Sequence, residues 1–144
     1  MIFVIVISIL SLDQLTKYLV SKNFILHQSI PLVKGVFHLT LVHNKGAAFG
    51  ILKNQIPLFI FSSIVASCLI YLTLKKNKRK NSFLYNLSLG LILAGALGNL
   101  LDRIFFGYVI DFLDFRIWPV FNIADSAITA GAFILAYLFF KPRS

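Results

Sequence analysis

Glutamate is absent from this sequence: its five acidic residues are all aspartates, Asp13, Asp102, Asp111, Asp114 and Asp125. Cysteine is nearly as scarce. Cys68 stands alone, which excludes an internal disulfide framework and a multi-cysteine metal site. Charged residues fill only 13% of the 144 positions, against roughly 25% in an ordinary soluble domain. Hydrophobic residues take their place at 58%, with a mean hydropathy of +0.86. A water-soluble core of this length cannot hide that much apolar surface, and a disordered chain has the opposite composition. Both classes are set aside. The 14 basic residues leave a formal charge of +9, but they lie between apolar runs rather than over one polar face, as a nucleic-acid binder would require. No nucleic acid is expected; a membrane is the better partner.

Crossing a bilayer takes about 20 mostly apolar residues, and four windows qualify: 2–20, 56–74, 83–101 and 121–140. The first is clean as far as Leu12 and is then interrupted by Asp13, Gln14, Thr16 and Lys17. It lacks a basic start and a small-x-small cleavage site, so it reads as a retained anchor and not as a leader. The second and third contain no charge, and the fourth contains only Asp125. Between the second and third lies Lys75-Lys76-Asn77-Lys78-Arg79-Lys80-Asn81, and after the fourth lies Lys141-Pro142-Arg143-Ser144. The density of positive charge puts both in the cytoplasm. Both termini are then cytoplasmic, and residues 21–55 and 104–120 face outward. All five aspartates fall on the outer side. Within the first outer segment, Val36 to Val42 alternates at period two, Ile30 to Val33 can pair with it, and Lys34-Gly35 supplies the turn. The expected fold is an all-α integral membrane protein of four helices, a single membrane domain, with a small β-sheet on the outer membrane surface.

Ionisable residues inside spans are expensive and are functional candidates by default. Asp13 and Lys17 share one helix face at i,i+4. They form either an ion pair with the lysine reaching outward or a support for a nearby site. Asn99, Asp102 and Arg103 make one polar face at the end of the third span, and Asn122, Asp125 and Ser126 repeat that spacing at the start of the fourth. A short outer connection would bring these faces together, with Asp111 between them. Taken singly, Asn122 and Asp125 read as a helix cap, and Asp102 with Arg103 as a hinge pair. Three acids converging on one mouth are costly unless used. The histidines His27, His38 and His43 lack metal-ligand spacing, and Cys68 has no catalytic partner in sequence. No metal and no cofactor are therefore expected. A carboxylate dyad fits best, one aspartate protonated and the other acting as base on a water; whether Asp102 or Asp111 partners Asp125 stays open on these grounds. The small residues Gly90, Ala94 and Gly98, and Ala124, Ala127 and Gly131, read as close helix packing. The stretch Asn44-Lys45-Gly46-Ala47-Ala48-Phe49-Gly50 suits close approach of another chain. The other function classes are a small proton or cation carrier and a non-enzymatic assembly subunit, but a carrier would keep its acids near the bilayer midplane.

Five segments match a known family in order: Asp13-Gln14-Leu15-Thr16-Lys17, Asn44-Lys45-Gly46-Ala47-Ala48-Phe49, Gly95 to Arg103, Val109-Ile110-Asp111-Phe112, and Pro119 to Ser126. The chain resembles the bacterial lipoprotein signal peptidases (signal peptidase II) over nearly its whole length. Ala94 stands where a glycine often precedes the Gly95-Ala96-Leu97-Gly98-Asn99 run. The resemblance implies an aspartic endopeptidase with Asp111 and Asp125 as its catalytic pair. Asp13, Lys17, Asn44, Gly46, Asn99, Asp102, Arg103, Asn122 and Ala124 match positions that support or line the site. The implied substrate is a prolipoprotein carrying diacylglyceryl on a cysteine, cut just before that cysteine. The implied setting is the bacterial cytoplasmic membrane, with membrane lipid around a monomer and the active site at the outer face. Asp114 has no place in this pattern.

Overall fold

A computed structural model describes residues 1–46, 55–76 and 83–140. The residues 77–81 of the basic run, the tail 141–144 and the segment 47–50 lie outside the described residues. Four helices, α1 (Ile2–Asn23), α2 (Ile56–Lys76), α3 (Phe83–Phe106) and α4 (Ile123–Phe140), are each long and apolar enough to cross a membrane. The chain is mostly helical and multi-pass. Three strands, β1 (Ser29–Val33), β2 (Phe37–Asn44) and β3 (Val109–Asp114), form an antiparallel sheet in the order β1-β2-β3 at one end of the bundle.

The β1–β2 hairpin follows the period-two pattern. Ile30 faces Leu39, and Gly35, at φ +74°, makes the turn where a side chain would be strained. β3 is a correction: residues 104–120 were expected as connection, yet they hold the last turn of α3 and a strand. Apolar Ile104, Phe105 and Phe106 prolong α3 until Gly107, in the left-handed region at φ +74°, donates its N–H to the Arg103 carbonyl. β3 then pairs Val42 with Asp111 and Asn44 with Val109. It is buried on both faces, so it carries no apolar–polar alternation by which a strand is recognised. Val20, Leu41, Ile110 and Phe112 form the core between sheet and bundle.

α3 is the central helix and packs against the other three, while α2 packs chiefly on α3. Small residues make the close contacts, at Gly131 as its spacing suggested and at Gly95 outside the spaced set. A Cβ on Gly95 would strike the Ala124 carbonyl oxygen, and one on Gly131 would lie 2.6 Å from the Ser88 carbonyl oxygen. The α3–α4 contact is thus too close for side chains at these points. That closeness brings the polar end of α3 against the polar start of α4.

Candidate active site

α4 starts with a reciprocal cap. The Asp125 N–H donates to Asn122 Oδ1 at 2.8 Å, and the Asn122 N–H donates to Asp125 Oδ2 at 3.3 Å. This is a capping box with aspartate in the third helical position. The cap reading of these two residues is therefore correct as local structure, and it also decides where the Asp125 carboxylate points. A further first-turn donor, the buried Ala124 N–H, goes to Asp13 Oδ1 on α1 at 2.8 Å.

Asp111 sits on β3, almost fully buried. Its Oδ1 accepts from Asn122 Nδ2 at 2.7 Å and its Oδ2 from Asn44 Nδ2 at 2.9 Å. Burial first, and the charge of Asp125 second, push the Asp111 carboxyl up from 3.8 to about 7, against the opposing pull of the two amides and Lys17. Asn122 touches both Asp111 and Asp125, so it bridges them.

Three asparagines are oriented by the same device. Gly46 donates its N–H to Asn44 Oδ1 at 2.9 Å, which leaves the Asn44 amide group for Asp111. The Asp125 N–H occupies Asn122 Oδ1, which leaves the Asn122 amide group for Asp111. Asn99 Oδ1 accepts from Lys17 Nζ at 3.2 Å and Asn122 Nδ2 at 3.1 Å, so its amide group faces Asp125 Oδ1 at 2.7 Å. Each asparagine has its oxygen held by a donor and its NH₂ turned to an aspartate.

Behind Asn99 lies a second cluster. Lys17 Nζ is 2.8 Å from Asp13 Oδ2 and 2.9 Å from Asp102 Oδ2. Gln14 Nε2 donates to Asp102 Oδ1 at 3.0 Å and to Asp13 Oδ2 at 3.1 Å. Two expectations are corrected here. Lys17 does not reach outward: it is 1% exposed and lies between α1 and α3. The reason is that two carboxylates and the Asn99 amide offer it better solvation than a long reach to the interface. Asp102 does not converge on the mouth with the other two acids, nor does it hinge with Arg103. It is spoken for by Lys17, Gln14 and the Ile110 N–H at 3.0 Å. The i,i+4 pair of Asp13 and Lys17 does form.

A cavity of about 590 Å³ opens in front of the two remaining aspartates. Asp111, Asp125, Asn44, Gly46, Asn99 and Arg103 line its sheet end, and Ser62, Ala66, Ile92, Ala96 and Ile128 carry it along the helices. The Arg103 guanidinium lies over the Phe59 ring of α2, 4.9 Å from its centre. Ala124 is fully buried and contributes packing. Beside Asn44, His43 stacks on Tyr108 at 3.9 Å. Burial first, then the positive charges of His27 and Lys45, hold its imidazole below the ordinary histidine range. Cys68 is exposed on α2. Among the described residues no three of His, Cys, Asp and Glu come together in a way that could hold a metal ion. Gln14 was missed as a partner of the buried cluster, and the contacts of Asp114 with Thr40 and Arg116 were not foreseen. Gln14 lay within a matched segment, whereas nothing in the sequence around Asp114 indicated its partners.

The family model for signal peptidase (SPase) II matches residues 5–141. The lipoprotein signal peptidase of Halothermothrix orenii is 50% identical over 135 residues, 94% of this chain and 92% of that protein. That of Moorella thermoacetica is 48% identical over 134 residues, 93% of this chain and 89% of its own. A bacterial membrane enzyme solved by the in meso method at 2.3 Å superposes with a TM-score of 0.91 at 29% identity, covering 99% of this chain and 93% of its own. A peptidase family sets aside the carrier and assembly-subunit readings. With a matching fold along its length and the family's model spanning all four helices, the chain belongs to the signal peptidase II family.

Proposed function

We propose that this chain is a membrane-embedded aspartic endopeptidase that removes signal peptides from lipoprotein precursors, with Asp111 and Asp125 as its catalytic pair. The observation that carries the reading is the bridge through Asn122, which holds two aspartates from different elements at one cavity. Two carboxylates held close cannot both ionise easily, so the pair shares one proton near neutral pH. In the reaction the ionised member takes a proton from a water as its oxygen attacks the scissile carbonyl carbon. The protonated member donates a hydrogen bond to the developing oxyanion. Collapse of that intermediate breaks the C–N bond, and a proton passes from the pair to the leaving amine. No metal or cofactor is called on.

The substrate carries diacylglyceryl on the cysteine that becomes the new N-terminus. A lipid-anchored peptide keeps its scissile bond near the membrane surface, which suits aspartates on β3 and at the start of α4. Asp13, Lys17, Asn99, Asp102 and Asn122 hold the pair, and Asn44, Gly46 and Arg103 line the site beside it. The setting is the bacterial inner membrane, both termini cytoplasmic and the sheet on the outer surface, a reading supported by the density of the basic run 75–80. The exposed apolar residues Ile25, Ile30, Leu32 and Val33 support contact of the β1 end with lipid. The chain acts as one domain and as a monomer.

The test is cleavage of purified precursor in detergent, lipidated against unlipidated. A shortened product from the lipidated precursor alone is expected, and none from Asp111→Asn or Asp125→Asn, both of which still enter the membrane. Near wild-type cleavage by either variant would overturn the pair.

A further inference from the structure

Asp114 lies outside the cavity, yet it governs one of the cavity's walls. The segment between β3 and α4 is pinned at its base by Leu113 and Phe121, which exchange both backbone hydrogen bonds at 2.8 and 3.0 Å. Above that pin the chain turns sharply. Arg116 takes the left-handed region at φ +66°, which costs a non-glycine residue about 1 kcal/mol or more. Asp114 holds it there: its Oδ1 accepts the Arg116 N–H at 2.8 Å and its Oδ2 lies 3.1 Å from Arg116 Nη1. Asp114 is itself held by the Thr40 hydroxyl of β2, which donates to Oδ2 at 2.7 Å. The turn sends Ile117 into the open at 93% exposure and sets Trp118, Pro119 and Val120 against the cavity.

The position of that wall decides what it touches. Ser62, Ala66, Ile92 and Ile128 extend the cavity from the aspartates along the helices, towards the side where an uncleaved signal peptide would lie. Trp118 to Val120, which precede α4, line the sheet end beside the aspartates. The geometry points to Asp114 as a positioning residue for substrate: by fixing the turn at Arg116 it places the wall that receives the precursor residues following the cysteine. This inference rests on the peptidase reading above. Asp114 touches neither the aspartate pair nor the scissile bond, so its effect falls on substrate affinity rather than on the chemical step.

The Arg116 guanidinium is half exposed although Asp114 is buried, so water screens the ion pair in part and it contributes little by itself. The backbone acceptor is what matters, which gives an unusual ordering of variants. Asp114→Ala raises KM about five- to tenfold on a lipidated precursor with a long mature segment, because the wall must be ordered on binding. Asp114→Asn keeps an oxygen for the Arg116 N–H and stays within about twofold of wild type. With a precursor that ends at the amide of the lipidated cysteine, Asp114→Ala and wild type have equal KM. In a Trp118→Ala background the Asp114→Ala effect shrinks to less than about twofold, because the two act on one wall. Fluorescence-polarisation binding of the long precursor to Asp111→Asn, with and without Asp114→Ala, reads the same loss without turnover. A wild-type KM for Asp114→Ala, an equal loss on the truncated precursor, or additivity with Trp118→Ala would each overturn the inference. Absence of cleavage by the wild-type chain would instead overturn the peptidase reading, so the two failures are distinct.

Discussion

Lys17 and Asp125 never touch, yet one asparagine stands between them: Lys17 Nζ donates to Asn99 Oδ1 at 3.2 Å, and Asn99 Nδ2 donates to Asp125 Oδ1 at 2.7 Å. An amide has one acceptor end and one donor end. A cation behind Asn99 therefore forces its NH₂ forward onto the carboxylate. The buried ion cluster on α1 and α3 thus sets the orientation of a group on the site side of the bundle. The same logic holds at Asn44 and Asn122, where backbone N–H groups replace the lysine.

Removing Lys17 leaves Asp13 and Asp102 buried without a counter-charge. Lys17→Met is expected to destabilise the protein by about 3–5 kcal/mol, the usual cost of stranding one side of a buried pair. Adding Asp13→Asn removes one stranded charge and recovers part of that loss. Thermal unfolding in detergent checks both; a Lys17→Met variant as stable as wild type would contradict the cluster's role.

Asn122 joins local and long-range structure. Asn122→Ala removes the α4 cap, at about 0.5–2 kcal/mol, and also the Asp111 donor. Cleavage is expected to fall at least tenfold, in excess of what the stability loss produces, because the bridge between the two aspartates is gone. Ser at the same position restores the cap but not the amide. Asn122→Ser should therefore regain stability while staying slow, as parallel unfolding and cleavage assays would reveal.

With the Asp111 carboxyl raised from 3.8 to about 7, both activity and stability are expected to depend on pH. Its folded value lies above its unfolded one, so the native state binds the extra proton between those limits. The stability this contributes is fully present below 3.8 and is lost as pH rises through about 7. Cleavage should fall above about 7 as the pair loses its shared proton. A kcat/KM profile that stays flat to about pH 9 would contradict this, and Asp111→Asn should flatten the corresponding stability profile.

Gly98 leaves room for a carboxylate. A Cβ there would lie 2.6 Å from Asp13 Oδ2 and 3.2 Å from the Ala124 Cβ. Gly98→Ala is expected to cost about 1–3 kcal/mol and to displace Asp13 from the Ala124 N–H. Gly107→Ala, at the end of α3 with open space around it, offends only through its positive φ and should cost about 1 kcal/mol. Comparing the two unfolding temperatures separates a packing demand from a backbone one.

Local pattern determined much of this protein. Run length and hydropathy placed the four helices, period two with a glycine turn placed the hairpin, and the i,i+3 spacing of Asn122 and Asp125 located the helix start. Family motifs named the two aspartates at the cavity. Other features depend on contacts that no local pattern encodes. β3 carries no alternation because sheet and bundle bury both its faces. Asp102 turns to Lys17, and Asp13 meets the Ala124 N–H from 111 positions away. Asp114 finds its place only because Thr40 of a neighbouring strand and the turn at Arg116 reach it. Apolar periodicity records which face of an element is buried. The partner of each buried charge is chosen by packing, where the cost of an unpaired ion lets the tertiary structure decide.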